Sequence, residues 1–196
     1  MKKLTIILAC LLTFATAGAQ DNWYQYGFKI GTSFPTARDY SYEGHYLSGL
    51  ANADFGIFFR AGKYVYGEVG FGYAFFRGDY NFYAAIDSLG YRDERASLHY
   101  LQIPIKIAGY VPLSRSVSLI PQAGIIYQPL VNVSDNSINF NKNTLTNHPL
   151  LLTGGIDFKF GPIIIGVNYR YQLQNFFQNK DGKHPQFINI CAGVQL

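Results

Sequence analysis

The sequence contains one group of residues whose types and spacing would suit nucleophilic catalysis. Ser97 and His99 are separated by a single residue, and Asp93 and Glu94 precede them closely. A hydrolytic triad needs a base within hydrogen-bond reach of its nucleophile, and an acid that orients the base. Polar segments often contain these residue types without such geometry, so the spacing alone does not establish a triad. We therefore expect no enzymatic activity.

The remaining histidines do not predict a metal site. His45, His148 and His184 lie in three different polar segments, and no pair has the spacing of metal ligands. Cys191 is the only cysteine apart from Cys10, which lies within a predicted leader. Removal of that leader leaves no partner for an intramolecular disulfide. We expect neither a metal nor another cofactor.

The N-terminus has the pattern of an export signal. Lys2 and Lys3 precede a short apolar run over 4–14, and Ala-Gly-Ala at 17–19 suits cleavage after Ala19. The run is too short to cross a bilayer as a helix, which needs roughly 20 residues. The predicted organisation is a signal peptide over 1–19 and one domain over 20–196.

The composition favours strands over transmembrane helices. Aromatic residues make up 17% of the chain and charged residues only 14%, against about 25% charged residues in soluble domains. Removing Lys2 and Lys3 lowers the basic residues from 16 to 14, against 12 acidic residues, which leaves a net charge of +2. This balance gives no basis for a nucleic-acid partner.

Apolar and polar residues alternate with a period of two along the mature chain, as in strands. The pattern predicts eight antiparallel strands, at 24–34, 49–61, 64–76, 98–111, 117–130, 150–160, 163–175 and 186–196. Tight turns at 61–63, 112–115 and 161–162 alternate with long polar connections at 35–48, 77–97, 131–149 and 176–185. Short turns at one end and long loops at the other are typical of outer-membrane barrels.

The apolar set is too large to fill the inside of eight strands, and its aromatic members cluster towards strand ends. We therefore predict an all-β fold: an eight-stranded antiparallel up-and-down transmembrane β-barrel with its apolar residues facing lipid, rather than a soluble barrel. The expected location is the cell outer membrane, with periplasmic termini and extracellular long loops. The expected partners are outer-membrane lipid and, during insertion, the outer-membrane assembly machinery, and we expect a monomer.

Charged residues within the strands fall on the phase opposite to the apolar residues. They are Lys29, Asp54, Arg60, Glu68, Lys106, Asp157, Lys159 and Arg170. Because an unpaired buried ion is costly, we predict a mixed-sign network that fills and closes the lumen. The alternative is a path for protons or ions, although eight strands enclose room for side chains rather than a channel.

Aromatic residues are frequent in the predicted outer loops. Those with the strongest claim to a binding role are Tyr80, Phe82, Tyr83 and Tyr91, and others are Tyr40, Tyr42, Tyr46, Phe176 and Phe177. Exposed aromatic side chains can form a surface that binds a partner. The alternative is that they lie on strand extensions at the lipid headgroup level and cap the barrel.

The segment Tyr100-Leu101-Gln102-Ile103-Pro104-Ile105-Lys106 resembles the strand that marks the PorT-type outer-membrane β-barrel family (outer membrane protein beta-barrel domain). The stretches 27–31 and 121–127 are similar to that family's first and fifth strands. The resemblance covers the mature chain, and it implies an eight-stranded outer-membrane barrel with no shared active site. The chain departs from many outer-membrane barrels in ending with Leu196 rather than an aromatic residue.

Three functions follow, in order of expectation. The first is a structural or interaction barrel with a closed, polar-packed lumen that acts through its extracellular loops. The second, implied by the role of some PorT-type proteins, is a component of a type IX-like secretion assembly with a surface or secretion partner. The third is a lipid A-modifying enzyme at the outer rim, but Ser97-Leu98-His99 has the reverse order of the His-x-Ser pattern in lipid A deacylases.

Overall fold

The computed structural model describes residues 23–36, 39–42, 45–82, 92–134, 145–176 and 184–196, with only the backbone described at 39–42, 45–51, 78–82 and 92–96. The predicted signal peptide over 1–19 therefore lies outside the described residues. In the described part of the chain there is no helix with the length and hydropathy needed to cross a membrane.

Eight long strands form the wall of a barrel. They are β1 Tyr24–Pro35, β2 His45–Gly62, β3 Val65–Phe82, β4 Arg92–Gly109, β5 Val117–Tyr127, β6 Leu150–Phe160, β7 Ile163–Gln172 and β8 Gln186–Gln195. Three short strands extend the sheet: Asp39–Tyr42 pairs with β2, Val111–Pro112 with β5, and Leu130–Val133 with β4.

The sheet closes on itself. Each strand pairs antiparallel with the next in the chain, from β1 with β2 to β7 with β8. β8 then pairs with β1, where Ala192 lies opposite Ile30. Closure gives every wall strand a paired neighbour on both sides, which a sheet in lipid requires. The predicted eight-stranded antiparallel barrel is confirmed.

The two faces of the wall differ sharply in chemistry. Large apolar side chains remain exposed on the outside, including Ile57 at 65% and Ile107 at 61%. The buried set on the inside contains Asn, Gln, Ser and charged side chains. Because a soluble barrel would have the opposite arrangement, this distribution suits a wall surrounded by lipid.

Two of the short turns depend on glycine. Gly62, at the turn between β2 and β3, has a φ of 135°, and Gly161, between β6 and β7, has a φ of 57°. Side chains with a Cβ rarely adopt these conformations. These turns fix the register of the strand pairs, so Arg60 in β2 lies directly opposite Glu68 in β3.

Several predicted strand boundaries were wrong. β2, β3 and β4 each contain 18 residues, whereas 49–61, 64–76 and 98–111 were predicted. Much of the predicted loops 35–48 and 77–97 is therefore paired strand. Conversely, β5 ends at Tyr127 and β7 at Gln172, before the predicted ends at 130 and 175. Beyond the apolar surface neither face of a strand must be apolar, so alternation no longer indicates where it ends.

Candidate functional site

Inward-facing charges form the main chemical feature of the lumen. Seven of the eight predicted lumen charges take part in ion pairs within the described part of the chain. They are Lys29, Asp54, Arg60, Glu68, Lys106, Asp157 and Arg170. Alternation on six different strands aims these side chains at a common space, which explains how residues far apart in sequence come together.

Arg60 is at the centre of this network and is only 1% exposed. Its Nε donates a hydrogen bond to Glu68 Oε2 at 2.7 Å, and its Nη1 donates to Gln195 Oε1 at 2.7 Å. Its Nη2 donates to Asp157 Oδ2 at 3.2 Å. The planar guanidinium therefore uses all three nitrogens to join β2, β3, β6 and β8.

Two aromatic rings flank the Arg60 guanidinium. Its central carbon lies 4.5 Å from the centroid of the Phe58 ring and 4.9 Å from that of Tyr66. Lys29 Nζ lies 5.0 Å from the same Phe58 ring. These contacts are cation–π interactions in a water-poor space. Sequence reasoning missed both rings. The available signal was that Phe58 lies two residues before Arg60 in β2, so both side chains face the same side of the sheet.

Glu68 accepts contacts from three cations. Arg60 lies at 2.7 Å, Lys106 at 3.1 Å and Lys29 at 3.7 Å from its carboxylate oxygens. Lys29 also donates to Asp157 Oδ2 at 2.7 Å. Three cations therefore share two carboxylates, and this central cluster carries a formal charge of +1.

A second ion pair lies beside the central cluster. Arg170 Nη1 donates to Asp54 Oδ2 at 2.9 Å, and Asn189 Nδ2 donates to the same oxygen at 2.9 Å. Asn189 Nδ2 also donates to Ser33 Oγ at 3.0 Å. The pair joins β7 to β2 across the lumen, and its neutral partners come from β8 and β1.

Amide side chains extend the network. Gln122 Nε2 donates to Asp157 Oδ1 at 2.7 Å and to Asn168 Oδ1 at 2.9 Å. Asp157, on β6, thereby contacts the neighbouring strand β5 as well as Arg60 on the opposite wall. Gln122, Asn168, Asn189 and Gln195 were absent from the predicted site, although all four lie on the polar phase of their strands.

Lys159 differs from the other predicted lumen charges. It is half-buried, and its Nζ lies 6.0 Å from the centroid of the Tyr110 ring. Among the described side chains it forms no ion pair with a carboxylate. The described lumen thus contains five cations and three carboxylates, so the predicted pairing of charges is incomplete.

Apolar layers lie along the lumen on either side of the charges. Tyr66, Ala108 and Ile120 form a buried cluster towards the short turns. Towards the long connections, the Phe76 ring packs against Tyr100 at 5.4 Å and Phe187 at 5.6 Å between centroids.

Two residues that interrupt the predicted alternation also face inward. Ile120 is 1% exposed and Ile126 is 2% exposed. They broke the pattern of β5 because a lumen with apolar layers needs apolar side chains on its inner face. Sequence alternation identifies a face, but it does not say at which level of the lumen a residue lies.

A cavity of about 60 Å³ lies among the charged side chains, lined by Lys29, Asp54, Glu68, Lys106 and Arg170 among others. This volume is close to that of two water molecules, at about 30 Å³ each. The space suits a small buried species and is much smaller than a ligand pocket of about 300 Å³ or more.

His99 contacts aromatic side chains rather than a catalytic partner. Its Nδ1 is within hydrogen-bond distance of the Tyr73 hydroxyl, and its ring lies 5.1 Å from that of Phe75. The backbone N–H of Ser97 donates to Ser134 Oγ, and the described contacts of Ser97 include no bond to His99. The side chains of Asp93 and Glu94 lie outside the described residues.

The other histidines also lie beside tyrosines. His148 stacks on Tyr127, whose hydroxyl is 2.9 Å from His148 Nδ1, and His184 stacks on Tyr171. The His45 side chain is outside the description. Among the described side chains, no group of three or more His, Cys, Asp or Glu residues could hold a metal ion.

The predicted binding aromatics are only partly described. Tyr80 and Phe82 belong to β3 rather than to a loop, and their side chains lie outside the described set, as do those of Tyr40, Tyr42 and Tyr46. Tyr83, Tyr91 and Phe177 are not among the described residues. Phe176 is 7% exposed, so it is not part of an exposed aromatic surface.

Within the segment 100–106, alternate residues have structural roles. Tyr100 packs on Phe76, Lys106 pairs with Glu68, and Gln102 and Pro104 line the cavity. The residues between them belong to the outward-facing phase of β4. The motif therefore supplies one wall of the lumen network.

The outer membrane protein beta-barrel domain family model matches residues 6–195. The match covers nearly the whole chain. A comparison with curated proteins gave no match.

Solved structures of outer-membrane barrels are similar to this chain. The outer membrane protein OprG from Pseudomonas aeruginosa has 11% identity and a TM-score of 0.53, over 88% of this chain and 95% of that one. Neisserial surface protein A has 12% identity and a TM-score of 0.45, over 89% and 97% of the two chains. Ail from Yersinia pestis has 14% identity and a TM-score of 0.39, over 88% and 97%. The likeness to OprG supports the barrel fold.

Proposed function

The chain belongs to the outer membrane protein beta-barrel domain family and is an outer-membrane β-barrel, and from this premise we propose that it is a non-enzymatic barrel that presents a projecting β-sheet at the cell surface. The sheet would contact a surface partner, while the packed lumen stays closed to solutes. Both ideas rest on the geometry of the wall strands and of the lumen.

The unequal length of the strands carries this proposal. β2, β3 and β4 contain 18 residues each, and the other five contain 10 to 12. A tilted strand of 18 residues rises by about 45 Å, and one of 11 by about 28 Å, against an apolar band of about 25 Å. Three neighbouring strands therefore extend well beyond the band on one side of the barrel.

The projecting part is paired and carries charged and polar residues. Asp39–Tyr42 pairs with the start of β2, Asp79 lies opposite Arg95, and Asn81 lies opposite Asp93. These polar residues would be costly in hydrocarbon. The extension is thus a four-stranded sheet with Asp39–Tyr42 at one edge. Among the described strands, Asp39–Tyr42 pairs only with β2, and an edge of this kind can accept a partner strand.

The long connections give the orientation. The projecting sheet lies at their end, and the short turns lie at the end where the chain termini meet, at Tyr26 and Leu196. In outer-membrane barrels short turns are periplasmic and long connections are extracellular. We therefore assign the projecting sheet to the cell surface and the termini to the periplasm.

Labelling in intact cells tests this orientation. An Asn81→Cys variant should react with a membrane-impermeant maleimide, whereas Ser114→Cys, in an opposite turn, should react only after the outer membrane is permeabilised. The native Cys191 is buried and serves as the background control in the parent protein. Labelling of Ser114→Cys alone in intact cells would reverse the assignment.

A shortened hairpin tests the role of the sheet. Replacing residues 80–94 by Asn-Gly joins Asp79 to Arg95, which already lie opposite each other, with a favoured hairpin turn. We expect this variant to insert normally but to fail to restore the function that a deletion strain lacks. The full-length gene should restore that function, and so should a matched variant shortened within 135–144. Full restoration by the 80–94 variant would refute a role for the sheet.

The resemblance of 100–106 to PorT-type strands supports a second candidate, a component of a secretion assembly. The deletion strain separates the two roles. Loss of secreted cargo with an intact envelope favours secretion, and unchanged cargo favours a structural or interaction role. The inward residues of the motif all have packing or charge contacts in the lumen, which is why the structural role is proposed first.

The lipid A-modifying enzyme is the weakest candidate. The Nδ1 atom of His99, which in a triad faces the orienting acid, contacts the Tyr73 hydroxyl instead. The described contacts of Ser97 include no bond to His99. Mass spectrometry of lipid A should show the same acyl chains in cells that express wild-type protein or Ser97→Ala. Deacylated lipid A in the wild type alone would establish the enzyme.

A further inference from the structure

The cavity inside the barrel is lined by more positive than negative charge. Lys29, Lys106 and Arg170 line it, together with only two carboxylates, those of Asp54 and Glu68. The remaining members of the network, Arg60 and Asp157, are one cation and one carboxylate. The excess positive charge of the network therefore belongs to the groups around the cavity.

Buried hydrogen-bond donors without a protein partner also line the cavity. Gln102 is 7% exposed and its Nε2 has no partner, and Arg170 is 9% exposed and its Nε has none. One acceptor at the cavity, Asn189 Oδ1, is also without a partner. Buried polar groups are nearly always satisfied, so we expect water or a bound ion to complete these hydrogen bonds.

The ammonium groups have donor capacity left as well. Lys106 Nζ contacts Glu68 Oε1 at 3.1 Å and Gln122 Oε1 at 3.3 Å. Lys29 Nζ contacts Asp157 at 2.7 Å and Glu68 at 3.7 Å. An ammonium has three donors, so each lysine can offer one more hydrogen bond.

We propose that this cavity is a binding site for one small monovalent inorganic anion of halide size, held by Lys29, Lys106, Gln102 and Arg170. The anion neutralises the excess charge of the network, which would otherwise stay buried in a poorly polarisable space at high cost. At about 60 Å³ the cavity has room for a halide and one water, and that water donates to Asn189 Oδ1. A larger organic anion would not fit.

Apolar side chains lie along the lumen on both sides of the site, with Tyr66 and Ile120 on one side and Phe76 and Phe187 on the other. We expect these layers to slow the entry of an anion into the folded barrel. For this reason the test refolds the full mature chain from urea in the presence of the anion under study.

The solution test compares barrels refolded in sodium bromide and in sodium gluconate at equal ionic strength. We expect a midpoint of thermal unfolding, measured by the mobility of the folded barrel in a gel, that is higher by about 2 °C or more in bromide. Lys106→Met should lose this difference, since it removes the excess charge at the cavity. Lys159→Met removes the same charge outside the cavity lining and should keep it.

An equal bromide effect in wild type and Lys106→Met, or no effect in wild type, would overturn the proposal. A crystal of wild type refolded in bromide provides a second measurement that needs no variant. It should show an anomalous scattering peak between Lys29 and Lys106. Water alone at that position, without an anomalous peak, would also overturn it.

Discussion

At the scale of single residues, the lumen charges are not interchangeable. Glu68 contacts three cations. Lys106 is only one of the three cations that share the Glu68 carboxylate. Removing a carboxylate therefore raises the net charge of the cluster, and removing a lysine lowers it. The sign of the excess charge decides which substitution is costly, because an uncompensated buried charge costs far more than a lost pair.

Glu68→Gln keeps the shape of the side chain but leaves Lys29, Lys106 and Arg60 with one carboxylate, that of Asp157. We expect the free energy of unfolding to fall by about 3–5 kcal/mol. Urea titration in lipid vesicles measures this, followed by the fluorescence of Trp23, the only tryptophan. The control is Arg77→Gln at an exposed position, which should stay within about 0.5 kcal/mol of wild type. Equal stability of the two variants would contradict the prediction.

Arg60 depends on geometry as well as charge. Arg60→Lys keeps the cation but loses the three-way hydrogen bonding and the stacking on Phe58 and Tyr66. We expect a loss of about 2 kcal/mol in unfolding free energy, because a desolvated cation–π contact contributes at that level.

The matched control is Arg170→Lys. Arg170 contacts the Asp54 carboxylate through one nitrogen, Nη1, and a lysine can make that single contact. The same urea titration should show a smaller loss for Arg170→Lys than for Arg60→Lys. A larger loss at Arg170 would show that geometry matters less than the charge itself.

At the scale of strands, the cost of a charged substitution on the outward face depends on its depth in the membrane. Ile57, 65% exposed in β2, lies on the outward face well inside the apolar surface, and Ala61 lies on the same face beside the turn at Gly62. Ile57→Arg should lower the unfolding free energy by about 2–4 kcal/mol, and Ala61→Arg by about 0–1 kcal/mol. Unfolding from vesicles gives both values. Similar losses at the two positions would indicate that this face does not contact lipid.

The strands also show what the sequence could and could not predict. Alternation predicted the eight strands and their faces, because lipid outside and polar groups inside impose opposite chemistry on neighbouring residues. The predicted spans of β2, β3 and β4 were too short. Beyond the membrane both faces of a strand meet water, so alternation does not mark where the strand ends. The Arg60–Glu68 pair follows from the short turn at Gly62, since the turn sets the register.

Contacts across the lumen could not be predicted in the same way. Arg60 and Asp157 lie on β2 and β6, which are on opposite walls, so their contact exists only once the whole barrel has closed. The central position of Arg60 between Phe58 and Tyr66 likewise depends on the level that each side chain occupies. Alternation carries no information about that level.

At the scale of the whole molecule, the contents of the lumen determine whether solutes pass. Purified wild-type protein in a planar bilayer should show no stepwise conductance in concentrated salt, because charged and aromatic side chains fill the space that eight strands enclose. A variant with Phe58, Arg60 and Tyr66 all replaced by Ser removes three bulky inward side chains. It should conduct, provided that its gel mobility shows a folded barrel. Steady conductance steps from the wild type would contradict a closed lumen and favour an ion path through the charges around Arg60.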